Sequence, residues 1–435
     1  MTIATKGSTR PGVPFPRQLN YRSNALFHFR AADALLTHDP VDDVLKAVTG
    51  EAPTFSRASV GGLACDVFGD VRQWGQAIPR IKMFDIDGDG YYETSALLME
   101  TAAENVCLRS GAIQTGPWAN VDVPAVTGND AIAPDRSVTA TKIEDDGGAS
   151  LEGRDQDITV ANDSTTWCVS VFVKKAAAGA TVVALRLQLS VGAAREALVL
   201  LDPITGDILT GGAEEVDVGV IEYGEYWRLW CTVANDSSGN TTLTPALFPA
   251  WRLTGDLGAV ASVDAAQGAN HFWGAQVENT TFPTSYVATV AAAVTRVVDS
   301  LGYTILFAPD LDEFTLYVEL ARPLWADLAD QSATQGLLQV GDTNGRMSIY
   351  LDPSGDVITG QMDTATVDRT ATVAIPSGDP IRVTAQFRTV LAGGAVKIGA
   401  GAGFSAWSAD ASALAAWVAS QVLVGKYGTS LADAG

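Results

Sequence analysis

Apolar and polar residues alternate with a period of two along most of this chain. Residues 166–175 (TWCVSVFVKK) put Trp167, Val169, Val171 and Val173 on one side, and residues 182–190 (VVALRLQLS) set Val183, Leu185, Leu187 and Leu189 against Arg186 and Gln188. Residues 225–235 (EYWRLWCTVAN) and 271–278 (HFWGAQVE) alternate in the same way. That period sends successive side chains to opposite faces of a strand. Gly, Asp, Asn and Ser turns separate the runs, so the stretch from about 51 to 299 predicts an antiparallel sandwich whose sheets are each solvated on one side.

A second set of alternating runs starts near residue 300. Residues 314–320 (FTLYVEL) bring Phe314, Leu316, Val318 and Leu320 to one face, and 346–352 (RMSIYLD) and 356–362 (DVITGQM) flank the turn Pro353-Ser354-Gly355 and read as a hairpin. Residues 381–387, 395–399 and 421–425 complete a meander, while 411–420 (ASALAAWVAS) read as a short helix or a loop. The N-terminal half has helical patterning only in residues 24–48, broken near Pro40. The predicted fold is all-β, with two successive antiparallel, jelly-roll-like β-sandwich domains and a short N-terminal arm. Residues 1–50 read as that arm or as a docking segment, or equally as a strand and helix laid on the next domain. Residues 51–105 read as a β-rich connector, 106–299 as the first sandwich and 300–435 as the second.

Composition removes several classes of function. Of the 435 residues 47% are hydrophobic and 18% charged, a balance that disordered chains do not have. No run of about 18 consecutive apolar residues marks a membrane span, so no membrane insertion is expected. The N-terminus MTIATKGSTRPGVPFPRQ lacks the apolar region of a secretory signal; if the protein ends up outside a cell, it is expected to leave by another route, such as lysis. The net charge of −22 comes from 28 Lys and Arg against 50 Asp and Glu, and Lys174–Lys175 is the densest basic spot. Such a surface repels phosphate backbones, which argues against a nucleic-acid partner, and favours retention of hard cations. Cys65, Cys107, Cys168 and Cys231 lie far apart without zinc-site spacing, His28, His38 and His271 form no metal or catalytic spacing, and the thiols read as small buried hydrophobes.

Two places hold candidate chemistry. Residues 85–93 (DIDGDGYYE) carry Asp85, Asp87 and Asp89 at loop positions 1, 3 and 5, a glycine at position 6 and the Tyr91 carbonyl at position 7, the front half of an EF-hand-type calcium loop. Position 12 is Ala96, and Glu93 at position 9 is placed to supply the missing oxygen; the plainer alternative is a Gly-rich turn with solvated aspartates. The second place is a possible glycan face. Tyr226, Arg228 and Trp230 share one strand face, and Arg186 and Gln188 share another. Aromatic rings interleaved with planar polar donors suit a sugar, although Trp and Tyr also fill sandwich cores. Carboxylate pairs such as Glu222/Glu225 and Asp310/Glu313 are unremarkable in so acidic a chain, and no nucleophile-elbow, P-loop, Rossmann or zincin pattern occurs, so no enzymatic activity is expected.

The order of several short motifs is familiar. Residues 54–60 (TFSRASV), Pro79-Arg80, 97–100 (LLME) and 105–110 (NVCLRS) follow one another, and Trp118, 133–142 (APDRSVTATK), 169–174 (VSVFVK), 226–229 (YWRL), 272–278 (FWGAQVE) and 282–299 (FPTSYVATVAAAVTRVVD) continue the series. It resembles the recurring series of bacteriophage tail-fibre and head-fibre (spike) structural proteins, in which a carbohydrate-binding-module-like β-sandwich precedes a concanavalin A/laminin-G-like one. The resemblance spans roughly residues 51–299, with the PTSY…VTR…D close as its most specific element, and is looser beyond 300. It implies a virion structural protein displayed as a fibre, spike or decoration. It also implies self-association, most readily as a homotrimer, contacts with other capsid or tail proteins, and adhesion to host surface glycans. The alternatives are a purely structural capsid or tail component, and a polysaccharide depolymerase, against which the absence of a fixed long repeat argues. In the resembled family the Asp-rich turn has no obligatory metal. The expected final strand of the second sandwich is missing near the C-terminus, and the N-terminal arm or a neighbouring subunit is expected in its place.

Overall fold

A computed structural model describes residues 54–59, 62–65, 71–84, 94–98, 100, 102–147, 150–177, 181–211, 215–251, 266–304, 313–320, 335–341, 345–352, 357–364, 367–374, 381–388, 395–400, 403–404 and 421–424. The described residues are all-β, with antiparallel pairing throughout and no helix. The N-terminal arm and residues 411–420 lie outside them. The chain forms two units, one comprising residues 59–75 and 102–296, the other residues 1–58, 76–101 and 297–435. The stretch 51–105, read above as a connector, is divided between them.

The first sandwich consists of two sheets. One runs in the order Ile208–Thr210, Arg195–Leu201, Val182–Ser190, Thr242–Trp251, Gly153–Asp155 and Ala119–Val121, with Ile158–Thr159 also paired to Thr242–Trp251. The other runs Glu215–Tyr223, Tyr226–Ala234, Thr166–Lys174, Gly268–Glu278, Val138–Asp145 and Ala125–Ile132. The alternating positions meet between them. Val169, Val171 and Val173 pack with Leu229, Cys231 and Val233 against Val183, Leu185, Leu187 and Leu189, all fully buried. Cys107 and Cys168 are buried as well, and burial pushes both thiols far above the ordinary range, as for small apolar side chains.

One strand breaks its alternation. In Gly268–Glu278, Phe272 and Ala275 both face the core, because the register against Thr166–Lys174 slips between Ser170 and Phe172. Gly274 sits at the slip with φ +66°, the left-handed conformation that a bulge demands and that glycine adopts without strain. A Cβ there would lie 2.9 Å from the Phe172 ring.

In the second unit a seven-stranded sheet runs Thr54–Ser56, Ser300–Thr304, Gln421–Val424, Gln335–Gly341, Gly345–Asp352, Val357–Thr364 and Val367–Ala374. A four-stranded sheet runs Glu313–Leu320, Ile381–Arg388, Ala395–Ala400 and Gly403–Phe404. Gly360 marks their close approach, since a Cβ there would meet Val396, Ala385 and Ile398 at 3.2–3.5 Å. Gly345–Asp352 and Val357–Thr364 pair from Gly345↔Thr364 to Asp352↔Val357, the hairpin that the PSG turn announces. Gln421–Val424 lies inside the sheet rather than at its rim, and the rim position beside Ser300–Thr304 is taken by Thr54–Ser56.

A buried ionic cluster ties the separated segments of this unit together. Asp299, 0% exposed, accepts Arg57 Nη1 on Oδ1 at 2.8 Å, and on Oδ2 both Arg80 Nη2 and the Glu100 N–H, the latter at 2.9 Å. Arg80 also pairs with Glu100, Arg57 Nη2 donates to the Ile78 carbonyl at 2.9 Å, and the Asp299 N–H donates to the Glu100 carbonyl at 3.0 Å. Removing one member of such a cluster strands the opposite charge in a dry interior, at a cost of about 3–5 kcal/mol. Asp299→Asn is accordingly expected to destabilise the chain by that amount in denaturant unfolding, whereas a loss below about 1 kcal/mol would show that the cluster is solvated.

Candidate functional site

Each sheet of the first sandwich has an outer face, and the two candidate glycan rows lie on opposite ones. On the six-stranded sheet, Tyr226, Arg228 and Trp230 do share the face turned away from the core. That face is not exposed: the three residues retain 2%, 2% and 3% of their surface. A second layer covers it, in which Phe172, Tyr223, Tyr226, Trp273 and Tyr286 pack with Leu63, Ala131, Ala133 and Ala140. Phe172 lies at the centre, with ring centroids 5.3 Å from Tyr223, 5.7 Å from Trp273 and 6.1 Å from Tyr286.

Part of the cover is Tyr286, carried by the segment Thr284–Thr289 that overlaps the PTSY motif. Gln276 holds it from the sheet, its Oε1 accepting the Val287 N–H at 2.6 Å and its Nε2 donating to the Thr284 carbonyl at 3.3 Å. Glu278 accepts the Thr284 N–H at 3.0 Å and also its hydroxyl. The Tyr286 and Ser110 hydroxyls are bonded at 2.7 Å, and the Leu63 N–H donates to the Tyr286 carbonyl at 2.9 Å. Asn105 completes the clasp by donating to the Val287 carbonyl at 2.8 Å and accepting the Val277 N–H at 3.0 Å.

The expected sugar-facing roles of Tyr226, Arg228 and Trp230 are corrected by this packing. The Tyr226 hydroxyl donates to the Ile132 carbonyl at 2.6 Å, and burial pushes its phenol well above the ordinary range. The Arg228 guanidinium lies 5.3 Å from the Phe172 ring centroid and donates to Ser170 Oγ at 3.0 Å. Trp230 lies over Gly219, where a Cβ would come within 2.5 Å of the indole.

The other row is different. Arg186 and Gln188 lie half-buried on the outer face of the first sandwich's other sheet, the one containing Val182–Ser190 and Thr242–Trp251, and the strand register assembles further polar groups around them. Arg186 stands opposite Ala246, which stands opposite Asp155. Gln188 stands between Thr244 and Glu196. Arg186 approaches Glu196 Oε2 at 4.0 Å and lies 5.3 Å from the Phe248 ring centroid, while Gln188 Nε2 donates to the same Glu196 oxygen at 3.5 Å. Thr244 donates to Asp157 at 2.7 Å. Burial, reinforced by the charge of Asp157, raises the Asp155 carboxyl above the ordinary range against the opposing pull of Arg186 and Arg154. Asp155, Asp157, Glu196 and Thr244 join the site only through pairing across strands, which no single-strand pattern contains. The result is a row of carboxylates, an amide, a hydroxyl and a guanidinium beside an aromatic ring. It is suited to many hydrogen bonds with a polyhydroxylated ligand.

The remaining candidates do not join this row. Asp85, Asp87, Asp89, Tyr91 and Glu93 lie outside the described residues, between strands Arg80–Phe84 and Thr94–Leu98 that pair with Phe84 opposite Thr94. Asp310 also lies outside them. Glu222 is exposed and engaged with Lys175, and Glu225 is exposed. His271 pairs with Asp130 at the surface, at 2.7 Å. Among the described residues no group of three or more His, Cys, Asp or Glu side chains is arranged to hold a metal ion.

The buried face yields two expectations. Trp230→Ala should cost about 3–5 kcal/mol of stability in denaturant unfolding, the usual loss for a buried Trp, and an unchanged stability would put the indole at the surface. Burial raises the Glu278 carboxyl above its ordinary range despite the hydrogen bonds from Thr284. Between the unfolded and folded pKa values the folded chain binds the proton and the unfolded chain does not. Stability from this group is thus fully present at low pH and falls as pH rises through that window. Glu278→Gln should flatten the fall when unfolding is followed from pH 4 to 8, and a parallel profile would contradict it.

No protein-family model matches the chain, and no curated protein matches it either.

Proposed function

We propose that the chain is a phage virion structural protein, a fibre, spike or decoration, whose first sandwich adheres to host surface glycans without turning them over. The observation that carries the glycan part is the row of half-buried Arg186, Gln188, Glu196 and Asp155, with the buried Thr244, beside Phe248 on one sheet face. The resemblance of the motif series to phage fibre proteins supplies the setting. Self-association as a homotrimer, docking to capsid or tail proteins through residues 1–50, and calcium on Asp85, Asp87 and Asp89 complete the reading from sequence.

Single sandwich–sugar contacts are weak, so adhesion relies on several copies acting together; linked sites gain roughly 10²–10⁴ in avidity. The test is a panel of host surface polysaccharides probed with the full chain, its mass in solution fixed by light scattering. The oligomer should bind, and Arg186→Ala should reduce binding at least about tenfold while leaving the melting temperature unchanged. Binding by the oligomer that survives Arg186→Ala and Glu196→Gln would remove the row from the reading.

A specific observation favours a second reading, a purely structural role. On the same face Ala184, Leu198, Leu200, Ala246 and Phe248 are buried, as in a packed surface. Particles lacking the protein that adsorb to host cells at the wild-type rate would select that role.

A further inference from the structure

The sugar row belongs to a larger order on its sheet face. Neighbouring strands set their residues side by side, so the face divides into lines that run across the strands. Four such lines succeed one another along the strand direction. Leu200, Ala184 and Phe248 form the first, and all three are fully buried. Leu198, Arg186, Ala246 and Asp155 form the second, with apolar and charged members in turn. Glu196, Gln188 and Thr244 begin the third. Asp157 ends it: the register that sets Asp155 opposite Ala246 and Ile158 opposite Leu243 puts Asp157 opposite Thr244, whose hydroxyl it accepts at 2.7 Å. Ser190, Thr242 and Thr159 form the fourth.

Polarity thus changes from one line to the next and is constant within the third and the fourth. Each line takes its members from at least three strands, so the order exists only in the assembled sheet. The third line crosses three strand spacings, about 14–15 Å. It ends on exposed Asp157 and on Glu196, whose side chain is 36% exposed, so a ligand can run past both. Its carboxylates accept hydrogen bonds, while the Gln188 amide and the Thr244 hydroxyl both donate and accept. Sugar hydroxyls do the same, and they bond most strongly to ionised acceptors. Phe248 presents no free ring on which a sugar can stack. Contact therefore falls to the polar lines.

Charge narrows the ligand further. Arg186 is drawn to Glu196 at 4.0 Å, Arg195 pairs with Asp236 at 2.8 Å, and Arg154 donates to the Ile113 and Trp118 carbonyls. Among the described residues neither Asp155 nor Asp157 has an ion pair. An anionic polymer would meet those two carboxylates on a chain whose net charge is −22.

We propose that the polar lines recognise an internal stretch of about three residues of a linear, uncharged polysaccharide lying across the strands. This rests on the glycan reading above and narrows it to a substrate class. An extended chain of pyranose rings advances about 5 Å per residue, close to one strand spacing, so successive rings meet successive strands. Chain ends and acidic polysaccharides do not match this pattern.

The test takes whichever host polysaccharide binds the full-chain oligomer in the panel above. That polymer is cut into fragments of one to six residues, and each is titrated as a soluble competitor, so that avidity does not enter. Affinity should rise at least about tenfold from one residue to three and then level off. Asp157→Ala and Glu196→Ala, at opposite ends of the third line, should each bring the levelling-off point down by about one residue; if one variant does not fold, the other decides. A single residue competing as well as the longest fragment overturns the proposal, as does affinity still rising at six residues. A levelling-off point unmoved by the variants also overturns it, as does a panel in which only acidic polysaccharides bind. Each of these outcomes leaves the glycan reading in place. A panel in which no polysaccharide binds removes that reading, and the proposal with it.

Discussion

A β-sheet has two faces, and a sandwich core uses only one of them. What becomes of the other decides most of what is distinctive here. On the six-stranded sheet the second face carries Phe172, Tyr226, Arg228, Trp230 and Trp273, too much apolar surface to leave in water. Part of its cover is a non-strand segment, Thr284–Thr289, pinned by Gln276, Glu278, Asn105 and Ser110. The polar pins are necessary because an irregular segment laid on a sheet brings backbone groups into a dry layer, and each needs a partner. The motifs that carry the resemblance to fibre proteins lie largely among these pins and in the Arg57–Arg80–Glu100–Asp299 cluster. They are the internal fastenings of the two units.

How far the sequence discloses this depends on the kind of information involved. The period-two runs foretold the strands, their core faces and the hairpin around Pro353-Ser354-Gly355, because alternation is a local property set by the pleat. Alternation also put Tyr226, Arg228 and Trp230 together on one strand face, which is the face turned away from the core. It is silent on whether that face is wet, since part of the cover comes from residues about sixty positions further along the chain. The slip at Gly274 was hidden for a related reason: HFWGAQVE looks regular unless the glycine is read as a bulge. Arg186 and Gln188 were legible as a polar row within one strand. Their companions Asp155, Glu196 and Thr244 are set by registers between strands, and a single sequence does not state its registers.

The acidity of the chain has two distinct expressions. Some of it is spent in ordered acceptor roles: Asp299 receives two arginines, Glu278 receives Thr284, and Glu152 closes its own turn. Such carboxylates work as multi-armed acceptors for backbone and side-chain donors that would otherwise be unsatisfied. The remainder sits at the surface in loose pairs such as Lys142 with Glu144, where salt and solvent reduce each interaction to a fraction of its vacuum strength. Net charge alone would not have separated the two groups. Burial and partner count do.

The place of Thr54–Ser56 in its sheet has a consequence for biosynthesis. This strand and Gln421–Val424 flank Ser300–Thr304, and Arg57 meets Asp299 across 242 positions of sequence. The first of these strands leaves the ribosome long before its neighbour exists, while the whole of residues 102–296 is made in between. The sandwich in that interval can mature as soon as it emerges, but the other sheet must wait until Gln421–Val424 has been made. Its early strand meanwhile travels as an unpaired edge, the state in which chains of this class are slow to fold and most prone to aggregate.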